Sequence, residues 1–195
     1  MKIALTVLSL LFFTNILWAQ EDSIAQKRAE KEDYLREHVL DKRENLSMQS
    51  LDFFPFSDKW IIKAKLVRNR GKKIKIPTST EREANYRRYG YLCFEIDHQP
   101  YRLTVYENLD IPRKKRTTFF IPFKDQTAPT ETYGGGRYMD LPRTKSDTVS
   151  LNFNDAYNPY CVYSHRYSCP IPPVENHLEV SITAGEKLPV PQRTD

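Results

Sequence analysis

The sequence predicts a mainly β protein, either an antiparallel sandwich or a partly closed barrel, with one amphipathic helix near the N-terminus. This prediction rests on two observations. After residue 50, apolar residues recur at every second position in short runs that are rich in β-branched and aromatic side chains. Glycine, proline, asparagine and aspartate separate those runs, and no long helical period follows residue 50.

The predicted helix lies in a charged stretch that is rich in good helix formers. Its apolar residues fall roughly on one helical face: Ile24, Ala29, Leu35, Val39 and Leu46. We therefore expect one amphipathic helix within residues 20–47. Such a helix either solubilises the edge of the domain or binds a partner, and the sequence leaves both roles open.

Seven runs show the period of two that is typical of half-buried strands, or the denser apolar pattern of a strand that is buried on both faces. They are residues 59–67, 72–76, 89–96, 101–107, 117–123, 147–153 and 178–183. We expect residues 48–188 to form a single β-rich domain. The proline-rich residues 189–195 are expected to form a loose C-terminal tail.

Residues 1–19 have the features of an export signal. Lys2 supplies a positive charge, residues 3–13 form an apolar core, and Leu17 and Ala19 are acceptable to signal peptidase. A membrane anchor is the alternative, but the uninterrupted apolar run is short for spanning a bilayer. We therefore expect an exported envelope protein, periplasmic or extracellular, with no transmembrane segment after signal cleavage.

The composition favours some partners over others. The formal net charge of +5 is a weak signal for nucleic acid, so no nucleic-acid partner is predicted. Basic residues concentrate at 68–75 and 113–116, and we interpret them as solvated strand edges that discourage edge-to-edge pairing. Contact with anionic lipid or envelope polysaccharide is the alternative. No cofactor is predicted, and the oligomeric state stays open.

Polar and conformationally special residues concentrate between Tyr133 and Lys187, as in loops that carry sites on a rigid scaffold. Three consecutive glycines there precede Arg137 and a predicted strand. A phosphate-cradling loop would open a helix, so we expect a turn or bulge that aims Arg137. Arg137 is the best candidate for gripping an anion. An internal ion pair with Asp140 or Asp125 is the alternative.

A predicted ligand site gathers side chains of this block: Arg137, Tyr138, Asp140, Asn154, Tyr157, Asn158, Glu175, Asn176 and Glu186. The expected ligand is small and polar or anionic, with tyrosines as walls. Two alternatives stay open. A hydrolase would use a carboxylate of this set as acid or base, or Cys161 as nucleophile. A structural domain would use the same side chains to satisfy buried backbone groups.

Cys161 and Cys169 close a nine-residue segment with His165 midway. In an exported chain a disulfide is favoured, with a stabilisation of roughly 2–3 kcal/mol on the loop-entropy model. A packed pair of thiols is the alternative. A metal site would need a fourth ligand such as His177, and none is predicted.

The motifs IPFKDQT, TYGGGRYMDL, LNFNDAYNPYCVYS, YSCPIPP and AGEK resemble those of the bacterial domain-of-unknown-function 1684 family. The resemblance covers most of the chain between residues 30 and 188. It implies that the predicted site residues and the cysteine pair occupy signature positions, together with Asp125, Thr127, Tyr133 and Gly136. It implies no reaction, ligand or cofactor, and His165 does not match the pattern.

Overall fold

The computed structural model describes residues 24–40 and 48–191. The predicted signal peptide, residues 41–47 and residues 192–195 lie outside those ranges. The chain divides into two compact units, Met1–Leu40 and Asp41–Asp195. The predicted fold class is confirmed, because the second unit is an antiparallel sheet that curls into a half-barrel and the first contains one helix.

Helix α1 covers residues 24–34 and continues as a π-helical turn at Leu35–Val39, within the segment predicted to be helical. Arg36 pairs with Glu32, four residues earlier, at 2.6 Å. The helix ends where Leu40 becomes extended, with φ −64° and ψ 132°. Among the described residues, no helix is both long enough and apolar enough to span a bilayer.

Nine strands are present in the described part of the chain: β1 (Met48–Ser50), β2 (Ile61–Arg68), β3 (Lys73–Pro77), β4 (Glu83–Ile96), β5 (Gln99–Asn108), β6 (Thr118–Phe123), β7 (Arg137–Pro142), β8 (Thr148–Asn152) and β9 (Val190–Pro191). Strands β2 to β8 form the main sheet in the order β7-β6-β5-β4-β2-β8, and β3 pairs with the first half of β4. Strands β1 and β9 pair separately, so part of the predicted tail is a short strand.

A two-residue turn joins β4 to β5. Asp97 and His98 have φ of 49° and 63°, the left-handed values that a type I′ hairpin turn requires at both central residues. Aspartate and histidine adopt such values more readily than most residues. The turn sets the register in which Ile96 opposes Gln99, and this pairing continues along both strands.

A β-bulge next to Tyr89 changes which side chains of β4 face the core. On β5, Leu103 and Glu107 are an even number of residues apart, so both lie on the core-facing side. Arg87 pairs with Glu107 across the strands, whereas Arg88 pairs with a residue of the opposite face. The extra residue of the bulge therefore places Arg87 on the core side and Arg88 on the outer side.

The main core combines the inner face of the sheet with the irregular segment near the C-terminus. Its fully buried members include Leu92, Leu103, Val105, Ile121, Phe123, Phe153, Ile182 and Ala184. The predicted runs before residue 160 correspond to β2 to β6 and β8, and the strand expected after the three glycines is β7.

The strand predicted at residues 178–183 is wrong, because those residues form no strand in the structure. Their backbone groups instead bond to the loop after β6 and to side chains. Leu178 N–H donates to Lys124 O at 2.8 Å, and Ile182 N–H donates to Asp125 Oδ2 at 2.7 Å. The alternation of apolar residues therefore reflects insertion of Leu178 and Ile182 into the core rather than membership of a sheet.

Gly90 allows β2 and β4 to approach closely beside the bulge. A Cβ at this position would lie 2.3 Å from Val67 O, a backbone atom that cannot swing away. We expect Gly90→Ala to lower the free energy of unfolding by about 1–3 kcal/mol through overpacking, measured by urea denaturation. Gly71→Ala is the control, because its Cβ would meet only the Arg88 side chain, at 3.2 Å. Equal losses in the two variants would contradict this explanation.

Candidate functional site

Arg137, at the start of β7, is the centre of a buried ionic network. Its side chain is 1% exposed, and its Nη2 lies 3.0 Å from Asp125 Oδ2. The same nitrogen donates to Ile182 O at 2.9 Å. Nη1 donates to Ala184 O and, at 3.2 Å, to Glu186 O. The sequence left open whether Arg137 binds an anion or forms an internal ion pair with Asp140 or Asp125. The structure contains the internal pair with Asp125.

The surroundings of Arg137 explain how the loop before β7 aims it inward. Gly136 has φ 87°, and a Cβ there would lie 2.5 Å from Phe123 O, so this turn requires glycine. The guanidinium Cζ lies 5.3 Å from the centroid of the Phe123 ring. Burial lowers the pKa of Arg137, and the carboxylate of Asp125 opposes that shift. An arginine stays charged under such conditions, so the pair is ionic.

Glu186 and Asn158 form a second part of the same buried region. Glu186 is 0% exposed, and its Oε2 accepts from Asn158 N–H at 2.6 Å and from the Tyr163 hydroxyl at 2.9 Å. Asn158 Nδ2 donates to Lys187 O at 2.7 Å. Burial, and then the Glu186 carboxylate, raise the pKa of Tyr163. These contacts attach the loop after β8 to the C-terminal segment.

Tyr138, Asp140 and Tyr157 are together on the edge of β7. The backbones of Tyr138 and Tyr157 bond reciprocally, at 2.8 and 2.9 Å, and extend the sheet by one bridge. Their rings meet edge to face, with centroids 5.8 Å apart. The Tyr157 hydroxyl donates to Asp140 Oδ2 at 2.8 Å. Burial, followed by the charge of Asp140, raises the pKa of Tyr157.

Asn176 replaces missing sheet hydrogen bonds between β5 and β6, which pair directly only at Tyr106 and Phe120. Its Oδ1 accepts from Thr104 N–H at 2.7 Å. Its Nδ2 donates to Thr104 O at 2.9 Å and to Pro122 O at 2.7 Å. A side-chain amide carries one acceptor and two donors, so it can bridge two strands in this way.

Glu175 and Asn154 make contacts of their own. Glu175 is exposed and accepts from the Tyr106 hydroxyl at 2.8 Å. Asn154 bonds reciprocally with the backbone of Ser57, accepting at 3.1 Å and donating at 3.0 Å. Asn154 thus braces the turn that leads into β2.

The nine predicted site residues therefore fall into five sets of contacts, of which the first joins Arg137, Asn158 and Glu186. Six of the nine are buried: Arg137, Tyr138, Asn154, Asn158, Asn176 and Glu186. Such burial is expected if these side chains serve to satisfy buried backbone groups, which is the structural alternative that the sequence left open. Within the described residues, Arg137 Nε and Asn158 Oδ1 are buried without a hydrogen-bond partner.

Cys161 and Cys169 lie next to each other as thiols, and Cys161 N–H donates to Cys169 Sγ at 3.2 Å. The structure thus brings the predicted pair together. Across residues 24–40 and 48–191, no three His, Cys, Asp or Glu residues converge as a metal site would require.

A pocket that the sequence did not predict is lined by charged residues of β4 and β5 and of the connections that follow β2, β5 and β7. Its volume is about 510 Å³, and its lining is Arg70, Arg87, Tyr89, Glu107, Arg113, Arg116 and Arg143. We call it the arginine pocket. Arg70, Arg113 and Arg116 belong to stretches that the sequence analysis interpreted as solvated edges.

Strand alternation explains why the arginine pocket continues from the core. Arg87 and Glu107 lie on the core-facing side because of the bulge, and Arg143 is two residues beyond the buried Leu141. Tyr89 stacks on Phe119 of the main core, with ring centroids 3.9 Å apart. The lining thus combines one aromatic ring, that of Tyr89, with five arginine side chains.

Glu107 organises two of the arginines. It is 5% exposed, its Oε1 lies 2.6 Å from Arg143 Nη2, and its Oε2 lies 3.2 Å from Arg70 Nη2. Burial by itself raises the pKa of Glu107, but hydrogen bonds and charge from Arg143 and Arg70 outweigh it and leave the pKa lowered. Glu107 is therefore ionised and already shared between two cations.

The remaining three arginines of the pocket have no carboxylate in its lining. Arg116 Nε donates to Ile111 O at 2.7 Å, which positions the guanidinium without neutralising it. Arg87 and Arg113 form no ion pair with any residue that the structure describes. The pocket consequently keeps an excess of positive charge.

A second pocket of about 390 Å³ lies on the outer face of β4 and β5. Arg88 and Arg102 lie over the ring of Tyr91, with Cζ 5.2 and 4.7 Å from its centroid. Glu175 also lines this pocket, which is where the structure places that predicted site residue. Here cations are matched by an aromatic face and a carboxylate, so the charge excess is smaller.

These features define a β half-barrel whose core is completed by an irregular C-terminal segment that a buried arginine holds. The chain belongs to the DUF1684 family of proteins of unknown function, which matches residues 47–187. The family expected from the motifs is thus confirmed.

The chain is also similar to the solution NMR structure of an uncharacterized protein from gene locus rrnAC0354 of Haloarcula marismortui. The two are 29% identical, the match covers 89% of this chain and 96% of that chain, and the TM-score is 0.65. No curated protein matches the chain.

The buried pair of Arg137 and Asp125 yields a stability prediction. Asp125→Asn keeps the size of the side chain but leaves the guanidinium inside the protein without a counter-charge. We expect the free energy of unfolding to fall by about 3–5 kcal/mol, measured by urea denaturation. Lys75→Ala, which breaks an exposed pair with Glu83, is the control and should change stability very little. A loss in Asp125→Asn no larger than in the control would contradict the assignment.

Proposed function

We propose that the protein binds a small molecule that carries an anionic group, such as a phosphate, sulfate or carboxylate, in the arginine pocket. The observation that carries this proposal is the set of five arginines around a single buried carboxylate. The ligand class is the one that the sequence suggested. The proposed location differs, because Arg137 is enclosed by Asp125 and backbone carbonyls.

Three properties of the arginine pocket support the proposal. Guanidinium groups present planar pairs of N–H donors that match the oxygens of carboxylate and phosphate. The ring of Tyr89, which stacks on the buried Phe119, offers an apolar surface to the rest of a ligand. A volume of about 510 Å³ lies within the range of small-molecule sites.

The uncompensated charge gives a physical reason for binding. Arg87, Arg113 and Arg116 share one pocket with no carboxylate left for them. Like charges that share one pocket repel each other, and the repulsion is stronger where protein replaces water. An anion would relieve this repulsion as well as form charge-assisted hydrogen bonds. In the second pocket, on the outer face of β4 and β5, Glu175 and Tyr91 accompany the cations, so there is less repulsion for an anion to relieve.

The hydrolase alternative receives less support from the same geometry. Glu107 is the one carboxylate among the residues that line the arginine pocket. Both of its oxygens are held by arginines and its pKa is lowered, so it is a poor proton carrier near neutral pH. The carboxylate of Glu186 is fully enclosed. We therefore propose binding rather than carboxylate-driven hydrolysis.

Titration with inorganic phosphate tests this function by two-dimensional NMR. We expect saturable shifts for the backbone amides of the arginine pocket. Arg87→Ala and Arg113→Ala should each weaken binding about 10- to 100-fold, because a hydrogen bond to a charged group contributes about 1.5–3 kcal/mol.

Lys114→Ala is the matched control, since Lys114 neighbours Arg113 in the same short helical turn but does not line the pocket. It removes one positive charge and should leave the affinity nearly unchanged. Equal weakening in Lys114→Ala and Arg87→Ala would reduce the effect to net charge. Absence of shifts at the pocket would exclude a phosphate-binding role.

We also propose that the protein is exported to the periplasm or the cell exterior, on the basis of residues 1–19. Protein recovered from the envelope or medium should begin at Gln20 by intact-mass analysis. Ala19→Asp should leave the signal attached, because signal peptidase requires a small residue there. Ser23→Ala, downstream of the cleavage site, should be processed normally. Recovery of uncleaved wild-type protein in the cytoplasm would contradict export.

A further inference from the structure

The segment that contains Cys169 is fixed to the end of β3. Ser79 N–H donates to Cys169 O at 2.8 Å, and Cys169 N–H donates to Ser79 Oγ at 3.1 Å. Ile171 N–H continues this pairing by donating to Pro77 O at 2.8 Å. These bonds hold Cys169, which is 8% exposed, in one position.

Cys161 faces Cys169 from a short helical turn at Tyr160–Val162. Its backbone N–H lies 3.2 Å from Cys169 Sγ. Hydrogen bonding from the side chains of Cys169, Ser79 and Tyr133 lowers the pKa of the Cys161 thiol. Cys161 is half-buried and thus more accessible than its partner.

We propose that Cys161 and Cys169 form a reactive dithiol that exchanges with small disulfides, with Cys161 as the attacking thiol and Cys169 as the resolving thiol. The geometry assigns the roles. Cys161 is the more accessible of the two thiols, and its backbone N–H donates to the sulfur of the buried Cys169. This activity is separate from the arginine pocket and does not depend on anion binding.

The exchange proceeds in two balanced steps. The Cys161 thiolate attacks one sulfur of a disulfide R–S–S–R, forms a mixed disulfide, and expels one RS⁻. Cys169 then loses its proton to solvent and attacks the Cys161 sulfur, which expels the second RS⁻. The protein gains an internal disulfide and loses two electrons, and the small disulfide is reduced to two thiols.

The electrostatics of the pair agree with these roles. The hydrogen bond from Cys169, followed by those from Ser79 and Tyr133, outweighs burial and lowers the pKa of Cys161 to about 6. The hydrogen bond to Cys161 and burial together raise the pKa of Cys169. Cys161 is therefore a thiolate at neutral pH, while Cys169 keeps its proton until a mixed disulfide has formed.

Incubation of the reduced mature protein with oxidised glutathione, followed by intact-mass analysis, tests the proposal. Wild type should lose two hydrogens and retain no glutathione. Cys169→Ser should trap one glutathione on Cys161, whereas Cys161→Ser should gain none. Cys93→Ser is the matched control, because Cys93 lies half-buried in β4, and this variant should behave as wild type. Equal adducts on Cys161 and Cys169, or no oxidation of wild type, would overturn the proposal.

A second measurement uses only variants that keep both cysteines. The rate of alkylation of wild type by iodoacetamide should rise with pH through a midpoint near the lowered pKa of Cys161. Tyr133→Phe removes one donor and should move that midpoint to higher pH. A wild-type midpoint at the value of an ordinary thiol, about 8.5, or no shift in Tyr133→Phe, would refute the assigned roles.

Discussion

The ion pair of Arg137 and Asp125 is the interaction on which the rest of the structure depends. The curled sheet leaves its inner face open along one side, and Leu178, Ile182 and Ala184 fill that side without forming a strand. An irregular buried segment cannot satisfy its carbonyls through a ladder, yet buried backbone groups must be paired. Arg137 solves this problem by donating to three carbonyls of the segment while Asp125 neutralises its charge. The pair thus holds the segment that completes the core.

Strand β7 begins with Arg137 and is followed directly by Arg143, and these two arginines have different surroundings. Arg137 and Arg143 are six residues apart, so they lie on the same face and about 20 Å from each other along the strand. Arg137 is at the end where the C-terminal segment packs on the core, and it donates to three carbonyls of that segment. Arg143 is beyond Leu141, the last buried residue of β7, and lines the arginine pocket. The same residue type therefore holds the C-terminal segment inside the protein at one end of β7 and lines the charged pocket at the other end.

The sequence was sufficient for the fold class and for most strands, because period-two alternation survives wherever one face is buried. It missed the first half of β4, since the bulge at Tyr89 breaks the alternation there, and with it the inward position of Arg87. Residues 178–183 alternate because they enter a core, and alternation alone does not reveal where the hydrogen bonds go. The polar block was expected to form a ligand site, yet its residues Asn158 and Glu186 are enclosed by the fold. Arg113 and Arg116 were interpreted as residues of solvated strand edges. Their shared pocket forms only when strands that are far apart in the sequence pair in the sheet, and the sequence alone does not show that pairing.

Residues that hold the fold and residues that line a pocket leave different signals in the sequence. Motifs dense in glycine, asparagine and tyrosine mark places where irregular backbone must be held, and Asn176 between β5 and β6 is an example. A ligand pocket that gathers single residues from segments far apart in the sequence leaves no such motif, because each arginine is unexceptional in its own segment. The cysteine pair lies within two neighbouring motifs of this pattern and is also the site of the dithiol exchange that we propose. Function in this fold is therefore better sought in the arginine pocket and at Cys161 than at the most distinctive motif.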